Sequence, residues 1–188
     1  MTFASTVSVR PLLCGLLAVV ASGPVARGEA ASEGGGPARI GDPRPALELE
    51  TLEADLITTA RVAGKPLVVD FFATWCGPCH SALADLVAAH ESAGGAFAFV
   101  LVDLGESADT VRRWRAKAHL PDGWLVALDA QGVAAHRWGA AKLPTSFIVD
   151  ATGTVRHINR GWGPGYRDRL TRWLRDVNYV RSSKNSTP

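Results

Sequence analysis

Two cysteines separated by two residues stand out in the stretch Trp75-Cys76-Gly77-Pro78-Cys79-His80. They follow an apolar run at 67–73 that predicts a buried strand, and they precede a segment that predicts a helix. The N-terminus of a helix lowers the pKa of a thiol placed there, and the thiolate is the species that attacks a disulfide. The spacing and the position together predict a redox-active dithiol.

The cysteine inventory supports a working pair rather than a structural bridge. The chain has three cysteines, and the third, Cys14, lies in the N-terminal apolar run. Once that run is removed, Cys76 and Cys79 have no other thiol to pair with. A zinc site would need two further soft ligands, and no further cysteine is there to supply them. We therefore expect no metal site.

Covalent haem attachment is a second interpretation, because Cys76 to His80 also matches the pattern C-x-x-C-H. Haem would use His80 as one axial ligand and would need a second ligand, a methionine or a histidine. The only methionine is Met1, whereas other histidines remain available. The buried strand before the pair favours the dithiol, so no cofactor is expected.

The N-terminus has the pattern of a secretory signal peptide over residues 1–28. Arg10 precedes an apolar segment at 12–21, and small residues follow it. The apolar segment is short for a membrane span, so an uncleaved anchor is the alternative to cleavage. Export would place the dithiol in an oxidising compartment, where it must be kept reduced by a supplier or used as an oxidant.

Beyond residue 28 the charges balance, and the composition indicates a linker, one domain and a tail. Without residues 1–28 the protein has 18 Lys and Arg against 18 Asp and Glu, which argues against electrostatic binding of nucleic acid. Residues 29–39 are rich in glycine and predict a flexible linker. Residues 40–180 predict one domain, and residues 181–188 predict a disordered tail.

The apolar periodicity predicts an α/β domain. We expect strands at 47–50, 67–73, 97–103, 124–128, 146–150 and 155–159, and helices at 78–91, 109–118 and 166–180. Strands that alternate with helices and end in a hairpin and a helix are typical of a layered α/β architecture.

Two segments resemble the signatures of the thioredoxin superfamily. Residues 69–79 are similar to its active-site segment, and residues 143–150 are similar to its second signature, where the proline is cis and faces the dithiol. The extra segment at 106–138 and the opening at 41–45 resemble the exported TlpA/ResA/CcmG branch. The resemblance covers about 40–180. It implies a thioredoxin-like α/β fold, with a central mixed sheet flanked by helices, an N-terminal extension and a central insertion.

The resemblance also implies a thiol-disulfide oxidoreductase with distinct roles for three residues. Cys76 would be the nucleophile, and Cys79 would resolve the mixed disulfide. Asp70 lies inside an apolar strand, where desolvation raises the pKa of a carboxyl group and suits it to act as a base for Cys79. The alternative is an acid at a sheet edge that faces solvent.

Five further residues are expected to contact substrate. Pro144 would shape the groove beside the dithiol, unless it is an ordinary turn proline. The backbone of Leu143 would hydrogen-bond an extended substrate strand. Trp75 would offer an apolar contact surface, with core packing as the alternative, and Gly77 and Pro78 would complete that surface.

Two residues depart from the pattern of this branch. The branch commonly has a glutamate where this chain has Ala82, and Asp70 matches thioredoxin rather than the branch.

The resemblance alone implies the expected partners. They are disulfides of exported proteins, apocytochrome c among them, and a membrane thiol reductant of the DsbD/CcdA kind. The Gly-Pro spacer favours a reductant. An oxidase or isomerase on the same fold, or a non-enzymatic redox-sensing binding module, is the alternative.

Overall fold

The computed structural model describes residues 36–94 and 97–184 and contains one seven-stranded sheet with helices on both faces. The sheet order is β2-β1-β5-β4-β3-β6-β7, with β3, β4 and β5 parallel and the other pairs antiparallel. The strands are β1 (Glu48–Thr51), β2 (Leu56–Thr58), β3 (Leu67–Phe72), β4 (Ala98–Leu104), β5 (Leu125–Asp129), β6 (Thr145–Val149) and β7 (Val155–Arg160). The helices are α1 (Gly77–Ala93), α2 (Ala108–Arg115), α3 (Val133–Trp138) and α4 (Tyr166–Lys184), with a 3-10 turn at Thr59–Val62. This architecture confirms the predicted thioredoxin-like fold.

Strand β3 lies inside the sheet, paired in parallel with β4 and antiparallel with β6. All six of its residues are buried, as expected for an apolar run covered on both faces. Its carboxyl end leads through Ala73, Thr74 and Trp75 directly into α1. The strand therefore fixes the position of the segment that carries the two cysteines.

Side chains of β3 alternate between two separate cores. Val68 and Phe72 enter the core that is completed by α1 and α4, which also contains both cysteines of the pair. Val69 and Phe71 enter the opposite core, where α3 contributes the fully buried Trp138. A residue's position in β3 therefore decides whether its side chain lies on the side of the cysteines.

Several boundaries differ from the sequence predictions. Strand β2 was not predicted, because three residues are too few to show an alternating pattern. Residues 133–138, for which no element type was predicted, form α3. Helix α4 continues to Lys184, beyond the expected end at residue 180 and into the stretch expected to be a tail.

The N-terminal boundary is also earlier than expected. Ala38, within the predicted linker 29–39, is buried in the core that contains Trp138. The predicted signal peptide, Cys14 and residues 185–188 lie outside the described residues. Within the described ranges, no helix is both long enough and apolar enough to cross a membrane.

The end of α3 gives a test of this N-terminal boundary. Gly139 has φ +72°, and a Cβ there would lie 2.6 Å from the Cβ of Pro37, whereas Gly123 has φ +80° and open space around it. We predict that Gly123→Ala lowers the free energy of unfolding by about 1 kcal/mol, from backbone strain alone. Gly139→Ala should cost about 2–4 kcal/mol, because overpacking against Pro37 is added. Denaturant unfolding measures both, and equal losses would show that residues 36–39 do not hold the position described.

Candidate active site

The two cysteines lie at the first turn of α1, with Cys76 as its N-cap residue. The backbone N–H of Cys79 donates to Sγ of Cys76 at 3.2 Å, and the two sulfur atoms form a disulfide. An amide directed at this sulfur from a helix N-terminus favours negative charge on the atom once the disulfide is reduced. The local geometry thus distinguishes Cys76 from Cys79 as the sulfur better suited to be a thiolate.

The surface around the pair is formed by residues predicted to bind substrate. Both cysteine side chains are buried, with 5% and 2% exposed, while Gly77 and Pro78 are exposed between them. Trp75 is 73% exposed, so the alternative of core packing is wrong for this residue. The buried disulfide is therefore flanked by exposed residues, among which Trp75 has a large apolar side chain.

Pro144 follows a cis peptide bond from Leu143, as the resemblance implied. Pro144 is buried, and its carbonyl accepts a hydrogen bond from the N–H of Gly161 at 2.7 Å. Leu143 is half-buried and packs against both cores. In the described part of the chain, neither backbone polar group of Leu143 forms a hydrogen bond. Both groups therefore keep their capacity to form a hydrogen bond.

Asp70 is 1% exposed and lies on the face of β3 that points to the cysteines, since it alternates with Val69 and Phe71 of the opposite core. Burial raises the pKa of Asp70 from 3.8 to about 7, and a hydrogen bond from Ser146 opposes that rise. The Oγ of Ser146 donates to Oδ1 of Asp70 at 2.6 Å. The alternative of an edge acid that faces solvent is wrong, and Asp70 is ionisable near neutral pH.

Thr74, the residue before Trp75, is fixed through all of its polar groups. Its backbone N–H and its hydroxyl donate to the two carboxylate oxygens of Glu106, the latter at 2.7 Å. Its carbonyl lies 2.8 Å from Nε2 of the exposed His80, which donates as the Nε2–H tautomer. His80 thus anchors the loop that leads into the helix rather than presenting that nitrogen to a ligand.

Glu106 was not singled out from the sequence as a site residue. It follows β4, and Asp103 of β4 is paired with Phe72 of β3, so the carboxyl ends of the two parallel strands lie side by side. A polar residue just beyond a neighbouring parallel strand is the signal that would have indicated it. The predicted insertion at 106–138 therefore begins with a residue that supports the active-site loop.

Two acids at the end of β4, Asp103 and Glu106, have pKa values shifted in opposite directions. Burial raises the pKa of Asp103 to about 7, and the carboxyl of Glu106 beside it adds to the rise. Burial also opposes ionisation of Glu106, but the hydrogen bonds from Thr74 outweigh it, so its pKa is lowered. The negative charge therefore stays on Glu106, where Thr74 needs an acceptor.

Comparisons with known proteins decide the family. A sequence profile of the AhpC/TSA family matches residues 40–158. The chain belongs to this family. It is 30% identical over 108 residues to the thiol:disulfide interchange protein CycY of Rhizobium leguminosarum, covering 56% of this chain and 55% of CycY. It is 26% identical over 125 residues to the thiol-disulfide oxidoreductase ResA of Geobacillus thermodenitrificans, covering 65% of this chain and 70% of that relative.

Solved structures agree with the sequence relatives. A crystal structure of a DsbE-type thiol:disulfide interchange protein from Chlorobium tepidum superposes with a TM-score of 0.64 at 25% identity, covering 74% of this chain and 97% of its own. The protein is a thiol-disulfide oxidoreductase of the thioredoxin family with Cys76 and Cys79 as its cysteine pair. The relatives favour this chemistry over haem attachment, and no group of three metal-binding side chains occurs among residues 36–94 and 97–184.

The burial of Asp70 predicts a pH-dependent effect on stability. With a folded pKa of about 7 and an ordinary value of 3.8, the folded protein holds the proton more tightly than the unfolded chain. Ionisation of the buried carboxyl therefore lowers the free energy of unfolding. This loss is absent below pH 4, grows as the pH rises and is complete above pH 7. We predict that Asp70→Asn in the oxidised protein raises the free energy of unfolding, relative to the parent, by about 2–4 kcal/mol at pH 8. Because Asp103 is present in both proteins, it cancels. A gain as large at pH 4 as at pH 8 would contradict the account.

The contacts of Glu106 predict a loss of both stability and activity. Glu106→Ala leaves the part-buried N–H of Thr74 without its acceptor, which should cost about 1–3 kcal/mol in the free energy of unfolding. A loosened Trp75 loop should also lower the rate of disulfide reduction by about tenfold. Glu53→Ala, which removes an exposed glutamate, is the matched control. Unfolding and turnover measurements that show no difference between the two variants would refute the role of Glu106.

Proposed function

We propose that the protein acts outside the cytoplasm as a reductant of disulfides in exported proteins. The carrying observation is a cysteine pair at the N-terminus of α1, surrounded by exposed Trp75, Gly77 and Pro78. Location rests on the signal-peptide pattern of residues 1–28, with an uncleaved anchor as the alternative. The Gly-Pro spacer, which this chain shares with thioredoxin, favours reduction over oxidation.

The reaction begins at Cys76. Its thiolate attacks one sulfur of the substrate disulfide, and a new bond forms between Sγ of Cys76 and that sulfur. The substrate S–S bond breaks, and its second sulfur leaves as a thiolate that takes a proton from solvent. The backbone N–H of Cys79 steadies the attacking sulfur before the new bond forms.

Cys79 completes the reaction with Asp70 as its base. The carboxylate of Asp70 takes the proton of the Cys79 thiol, and the resulting thiolate attacks Sγ of Cys76. The mixed disulfide breaks, the first substrate sulfur leaves as a thiolate, and the Cys76–Cys79 disulfide forms. Two electrons have then passed to the substrate. A carboxyl group whose pKa is about 7 is suited to this exchange near neutral pH.

Substrate is held on both sides of the pair. Trp75 offers an apolar surface, and Gly77 and Pro78 leave room for a chain to approach the sulfurs. The unbonded N–H and C=O of Leu143, next to Pro144, would pair with an extended substrate segment, as a strand does when it adds to a sheet edge. This mode reads backbone rather than sequence, so a range of exported proteins would be accepted.

The oxidised pair must be reduced again for turnover. In an oxidising compartment the electrons would come from a membrane thiol reductant of the DsbD/CcdA kind, which the resemblance implies. Apocytochrome c is the candidate substrate from the same resemblance, since its paired cysteines must be reduced before haem is attached. Each transfer of two electrons to the disulfide would restore the thiols of Cys76 and Cys79.

Replacement of Cys79 tests the proposal. With Cys79→Ser the second step is blocked, so we predict that mixed disulfides accumulate through Cys76 when the variant is expressed as the full chain. Non-reducing gels and mass spectrometry would identify the trapped proteins, and a reducing agent should release them. Cys76→Ser is the matched control and should trap none.

The identity of the trapped proteins separates the alternatives. Exported proteins with cysteine pairs support the proposal. A redox-sensing module that never exchanges with substrate would trap nothing in either variant. Partners that are all cytoplasmic would contradict the proposed location, and equal adducts in the control would contradict the role of Cys76.

A further inference from the structure

Asp70 is one end of a chain of three buried polar side chains. The Oγ of Ser146, in the neighbouring strand β6, lies 2.6 Å from Oδ1 of Asp70 and 2.9 Å from the hydroxyl of Tyr166, in α4. Each of the three residues is only 1% exposed. Three elements that are distant in sequence therefore meet at this carboxyl group through two short hydrogen bonds.

The hydrogen atoms give this chain a direction. A serine hydroxyl has one hydrogen, and Ser146 directs it to Asp70 when the carboxyl is ionised. The oxygen of Ser146 must then accept from Tyr166, so the phenol donates to the serine and the serine donates to the carboxylate. Each donor in such a chain strengthens the next one.

These hydrogen bonds reverse direction when the carboxyl group is protonated. When Asp70 carries the proton, its O–H donates to Ser146, and Ser146 turns its hydrogen toward the oxygen of Tyr166. Both rotations need only the two hydroxyl groups to turn about their C–O bonds. In this arrangement the phenol hydrogen of Tyr166 loses its acceptor among the described residues, so the two hydroxyl groups favour the ionised carboxylate.

We propose that Ser146 and Tyr166 are positioning residues that hold the carboxyl of Asp70 in place and favour its ionised form, which can accept the proton of Cys79. This inference rests on the proposed role of Asp70 as the base for Cys79. The two hydroxyl groups act through Asp70 and do not touch the reacting sulfurs.

The two hydroxyl groups, rather than a charged side chain, stabilise the ionised carboxyl of Asp70. In the described part of the chain Asp70 forms no ion pair, so no cation offsets its charge directly. Its titratable neighbour through the hydroxyl groups is Tyr166, whose pKa is raised mainly by burial and also by the charge of Asp70. Cys79 lies in the core on the same side of the sheet as Asp70, and Asp103 lies on this side too because it pairs with Phe72. From α1 and α4, Asp85 and Arg169 act on Tyr166 with opposite signs.

Titration of the carboxyl group tests the inference directly. In the reduced full-length protein, the 13C shift of the Asp70 carboxyl is followed by NMR against pH and assigned by its loss in Asp70→Asn. We expect Ser146→Ala to raise the midpoint by about one to two pH units, because the ionised form loses its donor. Tyr166→Phe should raise it by a smaller amount, and Ser146→Thr, which keeps a hydroxyl, should restore the parent midpoint.

Thr145→Val is the matched control for loss of a buried hydroxyl. Thr145 is the neighbour of Ser146 in β6, is fully buried, and donates its hydroxyl to the carbonyl of Lys142 at 2.6 Å. This variant should lose stability without moving the midpoint of Asp70. A purely structural role of Ser146 predicts the same behaviour for Ser146→Ala, so an unchanged midpoint in Ser146→Ala and Tyr166→Phe overturns the inference.

A kinetic measurement separates this inference from the proposed function. The rate at which Cys79 releases substrate from the mixed disulfide is measured against pH, and its midpoint should move with that of the carboxyl group. In an Asp70→Asn background, Ser146→Ala should cause no further change in that profile. If the carboxyl midpoint moves but the release rate keeps its profile, the proposed role of Asp70 as a base fails, while positioning of the carboxyl by the hydroxyl chain is supported.

Discussion

The parallel pairing of β3 with β4 is the constraint on which the site depends. It sets the carboxyl ends of two buried strands side by side, so that Thr74 beyond β3 meets Glu106 beyond β4. The loop into α1 is then fixed before the first cysteine. Because both strands are covered on both faces, neither can shift by one residue without turning its apolar side chains into the wrong core.

Burial raises the pKa values of two acids on these strands, Asp70 and Asp103. The strand that carries the loop also carries Asp70, and the loss of water around its carboxyl raises its pKa to about 7. The same desolvation acts on Asp103, but there the neighbouring Glu106 takes the charge to serve Thr74. Asp70 is thus suited to the proposed proton exchange, whereas Glu106 holds the loop through its hydrogen bonds with Thr74.

The sequence predicted the parts of the site that are local in the chain, and the family resemblance added the cis Pro144 from a distant segment. Cys76, Cys79 and the exposed loop follow from a strand, a helix start and a proline, and the burial of Asp70 follows from its apolar neighbours. Glu106, Ser146 and Tyr166 could not be found in this way, because each reaches the site through strand pairing or helix packing. Trp75 remained open as well, since exposure of an aromatic side chain depends on what the rest of the fold leaves uncovered.

The reduction potential of the Cys76–Cys79 pair tests the proposed direction of electron flow most directly. The purified protein would be equilibrated with thiol buffers of known potential, and the fraction of disulfide would be measured after acid quenching and thiol alkylation. We predict a value near or below about −270 mV, that of thioredoxin, as expected of a reductant supplied with electrons. A value near about −120 mV, that of DsbA, would contradict it and indicate an oxidase.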